Sequence, residues 1–281
     1  IFKVDKISFV IIVAILGIMS IKKLRLYRFL AVLLLFFAID FELQKARIPN
    51  EKILLTQTNT QQGEKWIGEN ADKIIQYNFN LIQNAIDKEY DIVVLPETAF
   101  PMILNLSFYE GIVARLHELS TKITIITGAQ RNDNFGVYNT TYIFSDGSYY
   151  FADKVFLAPF GEYMPIPGFI ADFFSKIFNI KYSSFDANSK EPKNIAVGNL
   201  IFRNAICYEA TTKKAYKDNP KYMMLISNNM WFKPSSEPVI QMMLVKYYAR
   251  LHKTIVFHSA NGSNSAIITP NIELKFRVQG L

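Results

Sequence analysis

The chain has a single cysteine and only three histidines among 281 residues. One thiol excludes an intramolecular disulfide and any zinc site built on cysteines. The histidines (His117, His252 and His258) form no His/Asp/Glu cluster at ligand spacing, so neither metal nor other cofactor is expected. There is no internal repeat, no low-complexity tract and no interior linker. No lysine/arginine block carries an RNA-type motif, so nucleic acid is not an expected partner. The net charge of +7 then suits an anionic lipid surface, or has no specific meaning.

Hydrophobic residues make up half of the chain. That is apolar for a soluble protein and too polar for a polytopic one. Two apolar runs open the sequence, ISFVIIVAILGIMSI (7–21) and FLAVLLLFFAIDF (29–41), separated by KKLRLYR (22–28). A membrane span needs ~20 apolar residues. With their flanks the runs are expected as transmembrane helices at about 5–21 and 26–43. Neither has a polar face, which argues against a buried amphipathic hairpin. Lys22, Lys23, Arg25 and Arg28 mark the turn as cytoplasmic under the positive-inside rule, which puts everything after about residue 45 on the outer side. A cleaved signal peptide does not fit two spans without a small-residue cleavage site. The chain opens on Ile1 and stops at FRVQGL, so it reads as a fragment of a polytopic membrane protein, cut short at its C-terminal side. Residues 1–48 form the membrane part and 49–281 the remaining domain.

Beyond residue 50 strands and helices alternate. Strands are expected at 52–58, 90–96, 122–130, 199–207, 221–229, 254–260 and 265–270, and helices at 67–88, 108–120, 208–216 and 237–253. Asp146-Gly147 joins strands 137–145 and 148–156 as a tight hairpin. A long aromatic loop with a short helix covers 157–197. This pattern predicts an α/β domain with helices on both faces of mixed sheets.

Three chemically distinct residues fall at three strand ends: Glu97 after VVLP, Lys154 after SYYFAD, and Cys207 after LIFRNAI. Sites in α/β sheets gather at such edges. A carboxylate can take a proton, an ammonium can hold an oxyanion, and a thiolate can attack a carbonyl. Together they make an acyl-transfer set without histidine. Each also has a plain reading. A lone cysteine at a strand end is more often a small buried hydrophobe, Glu97 can cap the next segment, and a strand-end lysine is usually solvated. A rival pair is Cys207 with His258, the one histidine at a strand end.

The stretches VVLPETAFP (93–101), DKVFLAPFGEYMP (153–165), NAICYE (204–209) and SNNMWF (227–232) resemble the carbon–nitrogen hydrolase (nitrilase) superfamily. PFGEYMP, QTNTQQGEKW (57–66) and the hydrophobic N-terminus narrow the resemblance to its apolipoprotein N-acyltransferase branch. The resemblance covers about residues 52–270. It implies an αββα sandwich, with Glu97 as general base, Lys154 as oxyanion stabiliser and Cys207 as nucleophile. It also implies supporting or substrate-binding roles for Trp66, Glu162, Tyr208, Glu209 and Trp231. In such enzymes a phospholipid donates an acyl chain to the cysteine. The diacylglyceryl-cysteine N-terminus of a lipoprotein then accepts it, on the outer face of the bacterial inner membrane. Apolar loops at 100–109 and 160–178 suit acyl-chain or bilayer contact, or a lid packed on itself. Asn229 stands where an acid is usual, Lys233 where a small residue is usual, and HSANGSN (258–264) where an arginine-containing run is usual. Two alternatives remain: a membrane-anchored amidase or nitrilase using water as acceptor, and a non-catalytic membrane-anchored binding module.

Overall fold

The computed structural model describes residues 2–40, 47–63, 65, 68–159, 161–163, 185–187, 189–270 and 274–275. Two short helices open the chain, α1 (Lys6–Ser20) and α2 (Arg28–Ala38), joined by a 3-10 turn over Lys22–Tyr27. Asp5 caps α1 through the Ser8 N–H and hydroxyl. Both helices are apolar nearly all round, and Phe9, Val13, Leu16, Phe29, Phe36 and Phe37 stand exposed. The expectation of two spans at 5–21 and 26–43 is corrected here. Among the described residues no helix is long and apolar enough to cross a membrane. A helix of 15 residues is ~22 Å long, against a hydrocarbon core of ~30 Å. Residues 41–46 lie outside the described residues. The hairpin is tied to the rest of the chain by Arg250, whose guanidinium reaches Asp40 at 3.1 Å.

Two sheets form the rest. The first has the order β1-β3-β4-β5-β6, from β1 (Ile53–Leu55), β3 (Ile92–Val94), β4 (Thr124–Asp133), β5 (Gly136–Ser145) and β6 (Ser148–Asp153). The second has the order β12-β11-β10-β9-β8-β7. Its strands are β7 (Asn194–Val197), β8 (Leu200–Ile206), β9 (Tyr222–Asn228), β10 (Ile255–Asn261), β11 (Ala266–Ile268) and β12 (Leu274–Lys275), and β2 (Gln57–Thr58) pairs with β10. Side chains alternate across a strand, and the burial follows that period. Leu55, Val94 and Ile126 of the first sheet meet Ile206, Met224 and Phe257 of the second in one core. The outer face of the first sheet, with Val93, Leu95 and Ile125, packs on α3 (Gly68–Asp87) and α4 (Glu110–Ser120). The outer face of the second, with Met223, Leu225 and Val256, packs on Val245 and Ala249 of α5 (Glu237–Leu251). The four layers are helix, sheet, sheet, helix, as expected for the αββα sandwich.

Strand directions place the expected site. β1, β3 and β4 are parallel, and β6 lies two antiparallel steps from β4, so it runs the same way. In the second sheet β8, β9, β10 and β2 are parallel. The run 53–58 crosses from one sheet to the other at Thr56, whose N–H donates to Val94 O while its carbonyl accepts from the Ser259 and Ser265 hydroxyls. Both sheets therefore point the same way, and the ends of β3, β6 and β8 share one edge of the sandwich.

Local chemistry explains where elements stop. Helix α3 ends in a left-handed Glu89, with the Tyr90 N–H reaching Ala85 O and the Glu89 N–H reaching Ile86 O. Asp146 and Gly147 both have positive φ, as the two-residue hairpin requires. The expected helix at 208–216 is instead two 3-10 turns, Cys207–Thr211 and Lys213–Tyr216. The Thr211 and Thr212 hydroxyls bond back to Tyr208 O and Glu209 O, which competes with helix propagation. Strand β7 lies inside the stretch expected as loop. In the apolar stretch 100–109, Phe100, Met102 and Leu104 are core residues while Phe108 is exposed. Nearly all of 160–178 lies outside the described residues.

Candidate active site

Glu97 sits in the turn after β3 and is 6% exposed. Its backbone is pressed against Gly128 of β4. A Cβ there would fall 2.6 Å from Thr98 N and 2.7 Å from Glu97 Cα, so only glycine permits this approach. The carboxylate accepts from Asn139 Nδ2 at 2.6 Å and from the Asn228 N–H at 2.7 Å. Those donors come from β5 and the end of β9, so both sheets hold it.

Lys154 follows β6 and is 1% exposed. Its N–H still belongs to the sheet, donating to Asn139 O. The next two N–H groups turn away to a carboxylate of the other sheet, which is why β6 stops at Asp153 rather than 156. The ammonium lies 2.7 Å from each oxygen of Glu162. Glu162 also accepts from Asn139 Nδ2 at 3.3 Å and from the Ala158 N–H at 2.8 Å. Asn139 thus links Glu97 to the Lys154–Glu162 pair. Burial alone works against the ammonium, but Glu162, then Glu97, Cys207 and Glu209, carry its pKa above the ordinary lysine value.

Cys207 is 7% exposed, with φ of 52°. A non-glycine residue in that region costs about 1 kcal/mol or more. Glu209 braces this turn. Its Oε2 accepts from the Ile206 N–H at 2.8 Å, and its Oε1 from the Val155 and Phe156 N–H groups at 2.7 and 2.9 Å. Burial pushes Glu209 up to about 7, against Lys154 and those three N–H groups. Burial also pushes the Cys207 thiol well up, reinforced by Glu97 and opposed by Lys154. The charges of Glu97 and Lys154 therefore act on the thiol in opposite senses.

The structure thus brings Glu97, Lys154, Glu162, Cys207 and Glu209 to one edge. Tyr208 is exposed, and its carbonyl accepts from the Thr211 hydroxyl. Trp231 is 57% exposed in the turn after β9. Trp66 lies outside the described residues. His258 is buried in β10 with neither ring nitrogen hydrogen-bonded, and burial lowers it to about 4. The sulfur's hydrogen-bond partner is Gln241, so the Cys–His pair is not formed. Among the described residues no group of three or more His, Cys, Asp or Glu side chains could hold a metal ion.

Four positions here were not singled out from sequence. Asn139 looks like any polar strand residue. Asn228 acts on Glu97 through its backbone. Lys65 is buried against Thr98, bonding its hydroxyl at 3.0 Å, and burial, opposed by Glu97, lowers it to about 8. Gln241 had a readable signal, since it shares the buried face of α5 with Val245 and Ala249.

No protein-family model matches the chain. Curated relatives do. It is 38% identical over 275 residues to the apolipoprotein N-acyltransferase of Helicobacter hepaticus, covering 95% of this chain and 67% of that protein. The chain belongs to the apolipoprotein N-acyltransferase family. It is 38% identical over 277 residues to the Helicobacter pylori apolipoprotein N-acyltransferase, covering 97% of this chain and 64% of that protein. For the Wolinella succinogenes apolipoprotein N-acyltransferase the figures are 36% over 266 residues, 95% and 64%. The chain thus spans 64% of the length of those last two apolipoprotein N-acyltransferases. Solved structures show the fold. A carbon–nitrogen hydrolase superfamily protein of Xanthomonas campestris superposes with a TM-score of 0.57 at 14% identity, over 82% of this chain and 86% of that one. Saccharomyces cerevisiae Nit3, of the nitrilase superfamily, gives 0.57 at 17%, over 79% and 83%.

Proposed function

We propose that this protein transfers a fatty acyl chain from a phospholipid, through a thioester on Cys207, to the N-terminal diacylglyceryl-cysteine of a bacterial lipoprotein. The observation that carries the reading is the placement of the sole thiol. It sits in a left-handed turn where the charges of buried Glu97 and buried Lys154 both act on it, in a chain of this family.

In this reading Glu97 takes the thiol proton as sulfur attacks the ester carbonyl of the lipid. The developing oxyanion is held by the Lys154 ammonium, which Glu162 keeps charged and fixed. The oxyanion collapses and the lysolipid alkoxide leaves with the proton from Glu97. The acceptor amine then attacks the thioester, gives its proton to Glu97, and expels the thiolate. Glu209 holds the turn that aims the sulfur. Tyr208, Trp231 and Trp66 are proposed to line the substrate entrance.

Exposed apolar side chains support a lipid substrate. Trp231, Phe232, Val239, Ile240 and Met243 stand out from the turn and helix that follow β9. The α1–α2 hairpin is equally apolar. We assign residues 1–48 to the membrane region and 49–281 to the reaction domain. In this proposal the reaction domain stands on the outer face of the bacterial inner membrane, with the apolar α1–α2 hairpin against the bilayer.

The test is intact-mass spectrometry of the complete protein after incubation with phospholipid, with Cys207→Ser as control. The expected result is a fatty-acyl mass gain that hydroxylamine removes and the variant lacks. A folded, complete protein without that adduct would overturn the proposal in favour of a water acceptor.

A further inference from the structure

A buried amide in the middle of an apolar helix face needs a partner at each end, because an unpaired one costs about 1–3 kcal/mol. Gln241 is 2% exposed and lies one turn before Val245 and two before Ala249, all buried against the second sheet. Its Oε1 accepts from Asn229 Nδ2 at 2.9 Å, and the same Asn229 nitrogen lies 2.8 Å from the Ser263 hydroxyl. With Asn229 donating to Oε1, the oxygen end of the Gln241 amide is turned toward Asn229. The nitrogen end is left facing the nucleophile, with Nε2 3.4 Å from Cys207 Sγ.

We propose that Gln241 is a further catalytic residue, the neutral donor that holds the Cys207 sulfur while it carries negative charge. A thiol is a weak acceptor and a thiolate a strong one, so this bond is weak in the resting site and strengthens as the proton leaves. An interaction that grows toward the transition state speeds the step. In the acyl-transfer reading, on which this role rests, the thiolate appears twice: it is the attacking group in the first half and the leaving group in the second. Gln241 serves both. In the thioester between them the sulfur is uncharged and the bond relaxes.

The charged surroundings make a neutral donor useful. Glu97 from the turn after β3, Glu162 from the segment after β6 and Glu237 from the start of α5 all oppose the thiolate, and Lys154 favours it. A second cation would draw those carboxylates onto itself. An amide on α5 adds a donor without adding a charge. Asn229, which stands where relatives were expected to have an acid, suits this arrangement. Its amide nitrogen donates to Gln241 Oε1, whereas a carboxylate would draw Gln241 Nε2 away from the sulfur.

The experiment is the alkylation of Cys207 by iodoacetamide across pH, followed by mass, in the complete wild-type protein and in Gln241→Met and Gln241→Leu. Peptide mapping assigns the adduct to the fragment that holds Cys207. Both substitutions keep apolar bulk and remove the donor. The expected result is a slowing of about tenfold at every pH below the thiol's titration, the equivalent of one pKa unit, in variants that still unfold cooperatively in urea. A purely structural role gives the opposite sign, because a loosened site hydrates the sulfur and speeds alkylation. Unchanged or faster alkylation in the folded variants would overturn the proposal, as would collapse of both, which would assign Gln241 to the fold. Alkylation needs no lipid, so this result stands apart from the presence or absence of an acyl adduct.

Discussion

Glu162 grips Lys154 with both carboxylate oxygens, each 2.7 Å from the ammonium. The pair is almost dry, so its two charges depend on each other. Removing one partner of a buried pair costs about 3–5 kcal/mol, because the other charge is left uncompensated. We expect Glu162→Gln to destabilise the fold by about 3 kcal/mol and to lower turnover more than lipid binding. Urea unfolding and the split between kcat and KM check the two halves. The pH signature has a definite sign. Lys154 is raised in the folded state, so its contribution is complete below the ordinary lysine pKa and is lost as pH rises toward the folded value. In Glu162→Gln that alkaline loss should begin at lower pH.

Glu209 gives an acid-side signature. Its folded pKa of about 7 lies above its ordinary 4.5. Between those values the unfolded chain has released a proton that the folded chain keeps, so this residue's contribution falls as pH rises through the window and is level above it. Glu209→Gln should remove that slope. It should also weaken the brace on Cys207, since an amide offers one oxygen where three N–H groups now donate. Stability against pH, measured by urea unfolding, is the check, and a slope unchanged in the variant would contradict the assignment.

His258 acts in the opposite sense. Burial holds it at about 4 against an ordinary 6.5, so stability is lost as pH falls between those values. We expect His258→Leu to flatten that acid loss and to leave acyl transfer within about twofold, since a surface or core change away from the reacting atoms moves rates little. A hundredfold loss of activity in a folded variant would revive a cysteine–histidine mechanism.

Gly128→Ala is expected to be far worse than its size suggests. The added methyl meets Thr98 N and Glu97 Cα, both backbone atoms that cannot rotate away. Overpacking of this kind costs about 1–3 kcal/mol, and a shift of Glu97 by part of an ångström should cost about a hundredfold in rate. Thermal melting and single-turnover acylation separate the two effects.

Trp231→Ser should do the reverse. The side chain is mostly exposed, so stability should move by less than about 0.5 kcal/mol. Transfer from lipid vesicles should drop several-fold, while hydrolysis of a short soluble thioester or ester should stay level. Equal losses on both substrates would argue against a lipid-facing role.

Much of this was legible in the chain before any coordinates. Short unbroken apolar runs such as ILL and MMLI announced strands buried on both faces, and Ile75, Ile82, Ala85 and Ile86 announced one face of α3. Asp146-Gly147 named its own turn. Glu97, Lys154 and Cys207 were readable because each falls at the end of a strand and the three together carry a carboxylate, an ammonium and a thiol. Other features were not readable, for stated physical reasons. The 3-10 turns after Cys207 depend on a glutamate folding back to the residue before the nucleophile, and composition does not show that. Asn228 works through its backbone N–H, for which side-chain identity is mute. Lys65 was quoted within a motif yet passed over, because burial of a lysine is a tertiary fact. The apolar N-terminal runs showed their hydrophobicity but not where their helices end.

Glu209 has one more consequence. It receives N–H groups from the chain leaving β6 in one sheet and from the end of β8 in the other. The residues beside it on those two segments are Lys154 and Cys207. One carboxylate is therefore a rivet through both plates of the sandwich, set at the spot where the reaction is proposed to occur. If the plates slip by even a hydrogen bond's length, ammonium and sulfur part company. Loss of activity on warming should then precede loss of the sheets, making catalysis the most sensitive gauge of how tightly this fold is closed.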